Sequence, residues 1–122
     1  MNFEKEGLQR GFLVPLWCNY DSSKTITIGE GDSIEWNGSK DLSSDLVLER
    51  GAKLTMHCMV SMAPRSKIIL NDKATLILDD CTLTTRCKTG TWQGILIPKK
   101  KKNPPVILLK NGSSIQKSDH EL

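Results

Sequence analysis

Histidine and aromatic residues are scarce in this chain, and long apolar runs are missing altogether. Its 122 residues include two histidines, one tyrosine, two phenylalanines and three tryptophans. The two imidazoles, His57 and His120, lie far apart, and none of the four cysteines at 18, 58, 81 and 87 falls in a CxxC pair. No metal site and no cofactor are expected. Gly11-Phe12-Leu13-Val14-Pro15-Leu16-Trp17 is apolar but short and broken by proline, well under the roughly 18 to 20 residues a bilayer-spanning helix needs. No transmembrane segment is expected. The opening Met1-Asn2-Phe3-Glu4-Lys5-Glu6 carries acids where a secretory leader carries bases, so it does not read as a signal peptide.

Charge is equally unexceptional. Seventeen Lys and Arg against fourteen Asp and Glu give a formal net charge of +3, with 25% charged residues. That balance demands no nucleic acid or other acidic partner. The basic excess is local, because Lys99 to Lys102 follow one another directly. A hydrophobic share of 38% suffices for the core of one domain at this length.

What the chain does have is a repeat. It reads Ile26-Thr27-Ile28-Gly29-Glu30-Gly31-Asp32-Ser33-Ile34, Leu46-Val47-Leu48-Glu49-Arg50-Gly51-Ala52-Lys53-Leu54, Ile68-Ile69-Leu70-Asn71-Asp72-Lys73-Ala74-Thr75-Leu76 and Ile107-Leu108-Leu109-Lys110-Asn111-Gly112-Ser113-Ser114-Ile115. Each copy has apolar residues at alternate positions, a turn, then another apolar position. The turn positions Gly31, Gly51, Lys73 and Gly112 are 20, 22 and 39 residues apart. The last gap is close to two periods, so a divergent coil is expected around Thr91-Trp92-Gln93-Gly94-Ile95-Leu96-Ile97.

Period-two alternation places Ile26, Ile28, Ile34 and Trp36 on one side, as it does Leu46, Leu48, Leu54 and Met56, and Ile68, Leu70, Leu76 and Leu78. Those sides form the predicted interior. Only Met1 to Arg10 is open to a helical reading. A strand-only repeat of about 20 residues fits two or three short strands per coil, stacked into parallel sheets. The prediction is an all-β, parallel β-helix (solenoid) of about five coils, about 24 Å tall at ~4.8 Å per coil. Residues 1–24 are expected to form an N-terminal segment or cap, with Phe12, Leu13, Leu16 and Trp17, and residues 25–122 the repeats. No C-terminal cap is evident, so an exposed edge near Gly112 to Lys117 predicts self-association.

The succession Asp45-Leu46-Val47-Leu48-Glu49-Arg50-Gly51-Ala52-Lys53-Leu54-Thr55-Met56, Met62-Ala63-Pro64-Arg65-Ser66-Lys67-Ile68-Ile69-Leu70, Leu76-Ile77-Leu78-Asp79-Asp80-Cys81-Thr82-Leu83-Thr84 and Trp92-Gln93-Gly94-Ile95 carries a family likeness. With the lead-in Ile34-Glu35-Trp36-Asn37, it resembles the right-handed parallel β-helix (pectate-lyase-like) region of large secreted bacterial surface proteins. The likeness spans about residues 25 to 115. It implies an extracellular or cell-surface setting and further coils followed by a C-terminal sorting domain, of which this chain resembles a short or truncated piece. Members of that family are adhesin-like, structural or polysaccharide-processing, so the scaffold implies no single activity.

Few side chains suggest chemistry. β-helical polysaccharide lyases use clustered carboxylates and a base, and Asp41, Asp45, Asp72, Asp79 and Asp80 are the acids on offer. Asp79 and Asp80 are adjacent, and would point to opposite faces of a strand or hydrogen-bond the backbone of a turn. Lys99, Lys100, Lys101 and Lys102, followed by Asn103-Pro104-Pro105, read either as an anion contact or as a solvated loop between coils; no aromatic residue interleaves them for stacking on nucleic acid. Trp92 reads as an aromatic platform for a sugar ring or as packing at a coil corner, whereas Trp36 belongs to the interior. The threonines Thr25, Thr27, Thr55, Thr75, Thr82 and Thr84 take different offsets from their turns and form no ice-binding rank. His57 and His120 read as satisfied or solvated, and the terminal Asp119-His120-Glu121-Leu122 is not an ER-retention signal. Cys81 and Cys87 are the local disulfide pair to expect, with buried free thiols the alternative. The expectation is a non-enzymatic structural or interaction module whose partner is a glycan or another protein chain, the alternative being a polysaccharide-binding or polysaccharide-degrading β-helix.

Overall fold

The computed structural model describes residues 18–85, 87, 90–98 and 103–119. Met1 to Arg10, the segment open to a helical reading, and most of the expected cap, with Phe12, Leu13, Leu16 and Trp17, lie outside them, as do Lys99 to Lys102 and His120.

Alternating apolar residues between turns produce short strands, twelve of them among the described residues. The first coil holds β1 (Thr25–Ile28), β2 (Ser33–Trp36) and β3 (Lys40–Leu42). The second holds β4 (Asp45–Leu48), β5 (Lys53–Met56) and β6 (Val60–Met62). The third holds β7 (Lys67–Leu70), β8 (Thr75–Asp79) and β9 (Thr82–Thr84), and the fourth β10 (Gly94–Leu96), β11 (Val106–Lys110) and β12 (Ser114–Ile115). Each strand pairs with its counterpart in the next coil, always in parallel, giving three four-stranded sheets. The first sheet is β1-β4-β7-β10, the second β2-β5-β8-β11 and the third β3-β6-β9-β12. This is a parallel β-helix. Four coils are complete, and a fifth begins where Ser118 bridges Trp92 in parallel.

Register turns the sequence pattern into columns of like residues along the axis. Leu46 pairs with Ile68, which pairs with Ile95. Leu54 pairs with Leu76 and Met56 with Leu78. All of these are buried, and the central members are 0% exposed. Filling the interior with whole Leu, Ile and Met side chains is the main source of cohesion, at about 1.5–3 kcal/mol for each fully buried side chain. Burial is not confined to the inner face: Thr55, Ser61, Ile77 and Thr84, in outward register, are buried too.

The corners between the first and second sheets repeat as closely as the strands. Asp32 N donates to Gly29 O, Ala52 N to Glu49 O and Ala74 N to Asn71 O, at 2.9, 3.0 and 3.1 Å. Such a turn needs a positive φ at its third residue, where a side chain is strained. Gly31 and Gly51 hold φ of 75° and 71°, and Lys73 takes the same place at 60°. The turns also bond to one another, Gly31 N to Arg50 O, Gly51 N to Asp72 O and Lys73 N to Asn103 O. The interstrand ladder thus continues around the corner.

The final copy of the repeat occupies a different place from the one its spacing predicts. Ile107 pairs with Leu76 and Leu109 with Leu78, so this copy begins in the second sheet, whereas the other three begin in the first. The Trp92 segment and Ile107 to Ile115 belong to one coil. Nine residues lie between β9 and β10 and nine between β10 and β11, which stretches the spacing to nearly two periods. Gly112, with φ of 78°, turns the corner between the second and third sheets.

Candidate functional site

Three polar or exposed clusters stand out on the solenoid. The first lies where the second and third coils enter the first sheet. Asp45 opens β4 and Lys67 opens β7, so the repeat sets them in neighbouring rungs. Lys67 Nζ is 3.0 Å from Asp45 Oδ2, and Lys67 N donates to Asp45 Oδ1 at 3.0 Å. Tyr20 donates its hydroxyl to Asp45 Oδ2 at 2.9 Å. Burial, and then the hydrogen bond to Asp45, push the Tyr20 hydroxyl above its ordinary pKa; the bond to Asp45 likewise raises Lys67. A cavity of about 220 Å³ beside them is lined by Cys18, Asn19, Tyr20, Pro64 and Arg65. Arg65 holds a φ of 76°, and its backbone is tied by Thr91 O at 3.1 Å and Gln93 Nε2 at 2.7 Å. Both lysine and carboxylate are spent on each other, so the cluster locks two coils and the Tyr20 segment together.

The second cluster follows the corner between the second and third sheets. His57 Nδ1 is 3.6 Å from Asp79 Oδ2, and Asn111 Nδ2 donates to Asp79 Oδ1. Asp79 is thereby partnered on both oxygens. Its neighbour Asp80 turns the corner with φ of 54°, its amide donating to Lys110 O at 3.1 Å. The two acids do not converge on a common point, and no group of three metal-ligating side chains occurs among the described residues.

Trp92 is 0% exposed, and its indole Nε1 donates to Gln116 O at 2.8 Å. Of the two readings of Trp92, packing at a coil corner fits this burial and the sugar platform does not: the ring is enclosed, and its single donor is satisfied. Lys99, Lys100, Lys101 and Lys102 lie outside the described residues. The cysteine expectation is also corrected, since Cys87 is bonded to Cys18 across 69 residues, with Cα atoms 5.8 Å apart, and not to Cys81. Cys81 is in the core beside Cys58, to whose carbonyl its thiol donates, and burial raises both thiol pKa values.

The third cluster is apolar. In the fourth coil Val106, Leu108 and Leu109 are 46%, 40% and 50% exposed, and Ile97 47%. Leu109 stands in the inward column above Leu78, which is 0% exposed. Among the described residues, β11 is the outer member of its sheet and no strand lies on its far side. An apolar strand with an unpaired edge is a template for another strand. No helix among the described residues is long and apolar enough to cross a membrane.

In class the fold is a parallel β-helix solenoid. Compared with known proteins, the chain matches no family model, no curated protein and no solved structure.

Proposed function

We propose that the chain is a non-enzymatic β-solenoid module that acts by contact at the end of its stack, as part of a secreted or cell-surface protein. The observation that carries this reading is the β11 edge, where Leu109 is half exposed in a column whose middle members, Met56 and Leu78, are sealed. Exposed apolar surface beside unpaired backbone is what a strand-adding contact uses, main-chain hydrogen bonds supplying affinity and side chains supplying register. The Cys18–Cys87 disulfide supports an oxidising compartment. So does the likeness of residues 25–115 to secreted bacterial surface proteins. Asp79 and Asp80 are engaged in holding a corner, which favours a structural part for both over the polysaccharide-cleaving alternative.

A panel of acidic and neutral polysaccharides, incubated with and without calcium, tests the reading. No cleavage and no retention are expected. Cleavage abolished by Asp79→Ala or Asp80→Ala would overturn it.

A further inference from the structure

We infer that copies of this chain stack head to tail, with β11 of one copy pairing in parallel with β2 of the next; this rests on the reading of the chain as an end-on module. The strands β2 and β11 are the two outer members of the same sheet, each paired on one side only among the described residues. Two inward columns run through that sheet. One is Ile34, Leu54, Leu76 and Ile107, the other Trp36, Met56, Leu78 and Leu109. The middle members of both are 0% exposed, whereas Ile34 is 39% and Leu109 50% exposed.

Once the Lys117–Asp119 turn over Trp92 makes way for the incoming Asp21 turn, a second copy set on the first puts its Ile34 against Ile107 and its Trp36 against Leu109. Both contacts repeat ones the fold already makes between Ile34 and Leu54 and between Trp36 and Met56. At the opposite end a cleft of about 570 Å³ opens between β1 and β3 of the first coil, lined in part by Thr25, Ile26, Asp41 and Leu42. Lys40 Nζ lies 5.6 Å from the Trp36 ring centroid and shields only part of that residue.

Charge favours this order of ends over a pairing of like ends. The first coil, Asp21 to Ser44, carries five acids and two lysines, whereas the described residues of the last coil, 90–98 and 103–119, carry two lysines and one acid. The acids Glu30 and Asp32 flank the Gly31 corner, which in the next copy would sit over Asn103, the residue whose carbonyl accepts from Lys73 N in the same column of corners. Two copies of the same end would bring like charge together. A contact between unlike ends does not close on itself, so the assembly grows along the axis. Each copy would add about 19 Å, four rungs of ~4.8 Å.

Sedimentation velocity on three samples tests this. Wild type should show mass rising with concentration beyond a dimer. Leu109→Lys, spoiled at one end, and Ile34→Lys, spoiled at the other, should each stay monomeric alone. Mixed, they should form a one-to-one dimer and nothing larger, because each supplies the end the other lacks. A monomeric wild type, self-association of either variant, or a mixture that stays monomeric would overturn the inference. Far-UV circular dichroism shows whether each variant folds. Asp32→Lys, at an exposed turn residue, gives an arm independent of the core: about tenfold weaker association and a smaller salt dependence are expected. Unchanged association there would overturn the charge match that selects head to tail. A chain that is monomeric and cleaves no polysaccharide sinks the stacking alone; cleavage sinks the module reading whatever the mass.

Discussion

The third and fourth coils are built from the same three kinds of strand in the same register, and they differ in what lies above them. Leu78 and Leu109 occupy one column in adjacent rungs, yet one is 0% and the other 50% exposed. Nothing in the side chain accounts for that. In a solenoid each rung is sealed by the next, so burial belongs to the stack and not to the residue. The last coil also departs from its neighbours in the number of residues, nine on each side, that separate β10 from β9 and β11, while the strands keep their pairing.

The sharpest way to break this comparison is to make the same deletion in both places. Leu76→Ala should cost about 2–5 kcal/mol in urea unfolding, and Leu109→Ala under about 1 kcal/mol. Equal losses would mean that the last rung is as enclosed as the third. Next in size is the Cys18–Cys87 bond, which encircles the first three coils and leaves the fourth outside. Its reduction, or Cys87→Ser, should lower stability by about 2–4 kcal/mol. In the oxidised, denatured chain a thiol reagent should find Cys58 and Cys81 alone.

A smaller effect, about 1 kcal/mol, is expected of Asp45→Asn, which loosens the Tyr20 and Lys67 contacts between the second and third coils. Both pKa values are raised in the folded chain, so it holds these protons to higher pH than the unfolded chain does. The stability linked to them is whole below their ordinary values of 10.0 and 10.5 and fades as pH climbs through the folded values. Tyr20 is the chain's one tyrosine, so its ultraviolet titration should move toward lower pH in the variant. Smallest is the corner: Gly51→Ala should lose about 1 kcal/mol because its φ is 71°, whereas Lys73→Gly should change little, strain relief offsetting added chain entropy.

The regular part of the solenoid was legible because its constraints are periodic. Gly31, Gly51 and Lys73 mark equivalent turns in sequence, and all three have positive φ. Leu46, Leu48, Leu54, Met56, Ile68, Leu70, Leu76 and Leu78 were assigned to the interior by alternation, and all are 0% exposed. Ile34 was assigned with them and lies 39% exposed at the end of its column. Alternation gives the direction of a side chain, not the presence of a rung beyond it. The last copy slipped by one sheet because a turn between the second and third sheets looks, in residue types, like one between the first and second.

Polar contacts were less legible. The 22-residue step from Leu46 to Ile68 also carries Asp45 to Lys67, so extending the repeat to charged positions finds that pair. Tyr20 has no such signal, since it precedes the first strand. Cys87 was expected to pair locally with Cys81, but β9 and the corner after it separate them, and the inward column holds Cys81 beside Cys58.

The disulfide has a mechanical meaning. A pull applied to the two ends of the chain passes through the Cys18–Cys87 bond and bypasses the 69-residue span between them. The first three coils are shielded from tension, and the fourth takes the load. About 32 residues from Cys87 to Asp119 can then pay out, roughly 110 Å of extension, before force reaches a covalent stop. Under reducing conditions the same pull would unravel every coil. Which coils open under such a pull would thus be set by which of them lie outside the ring.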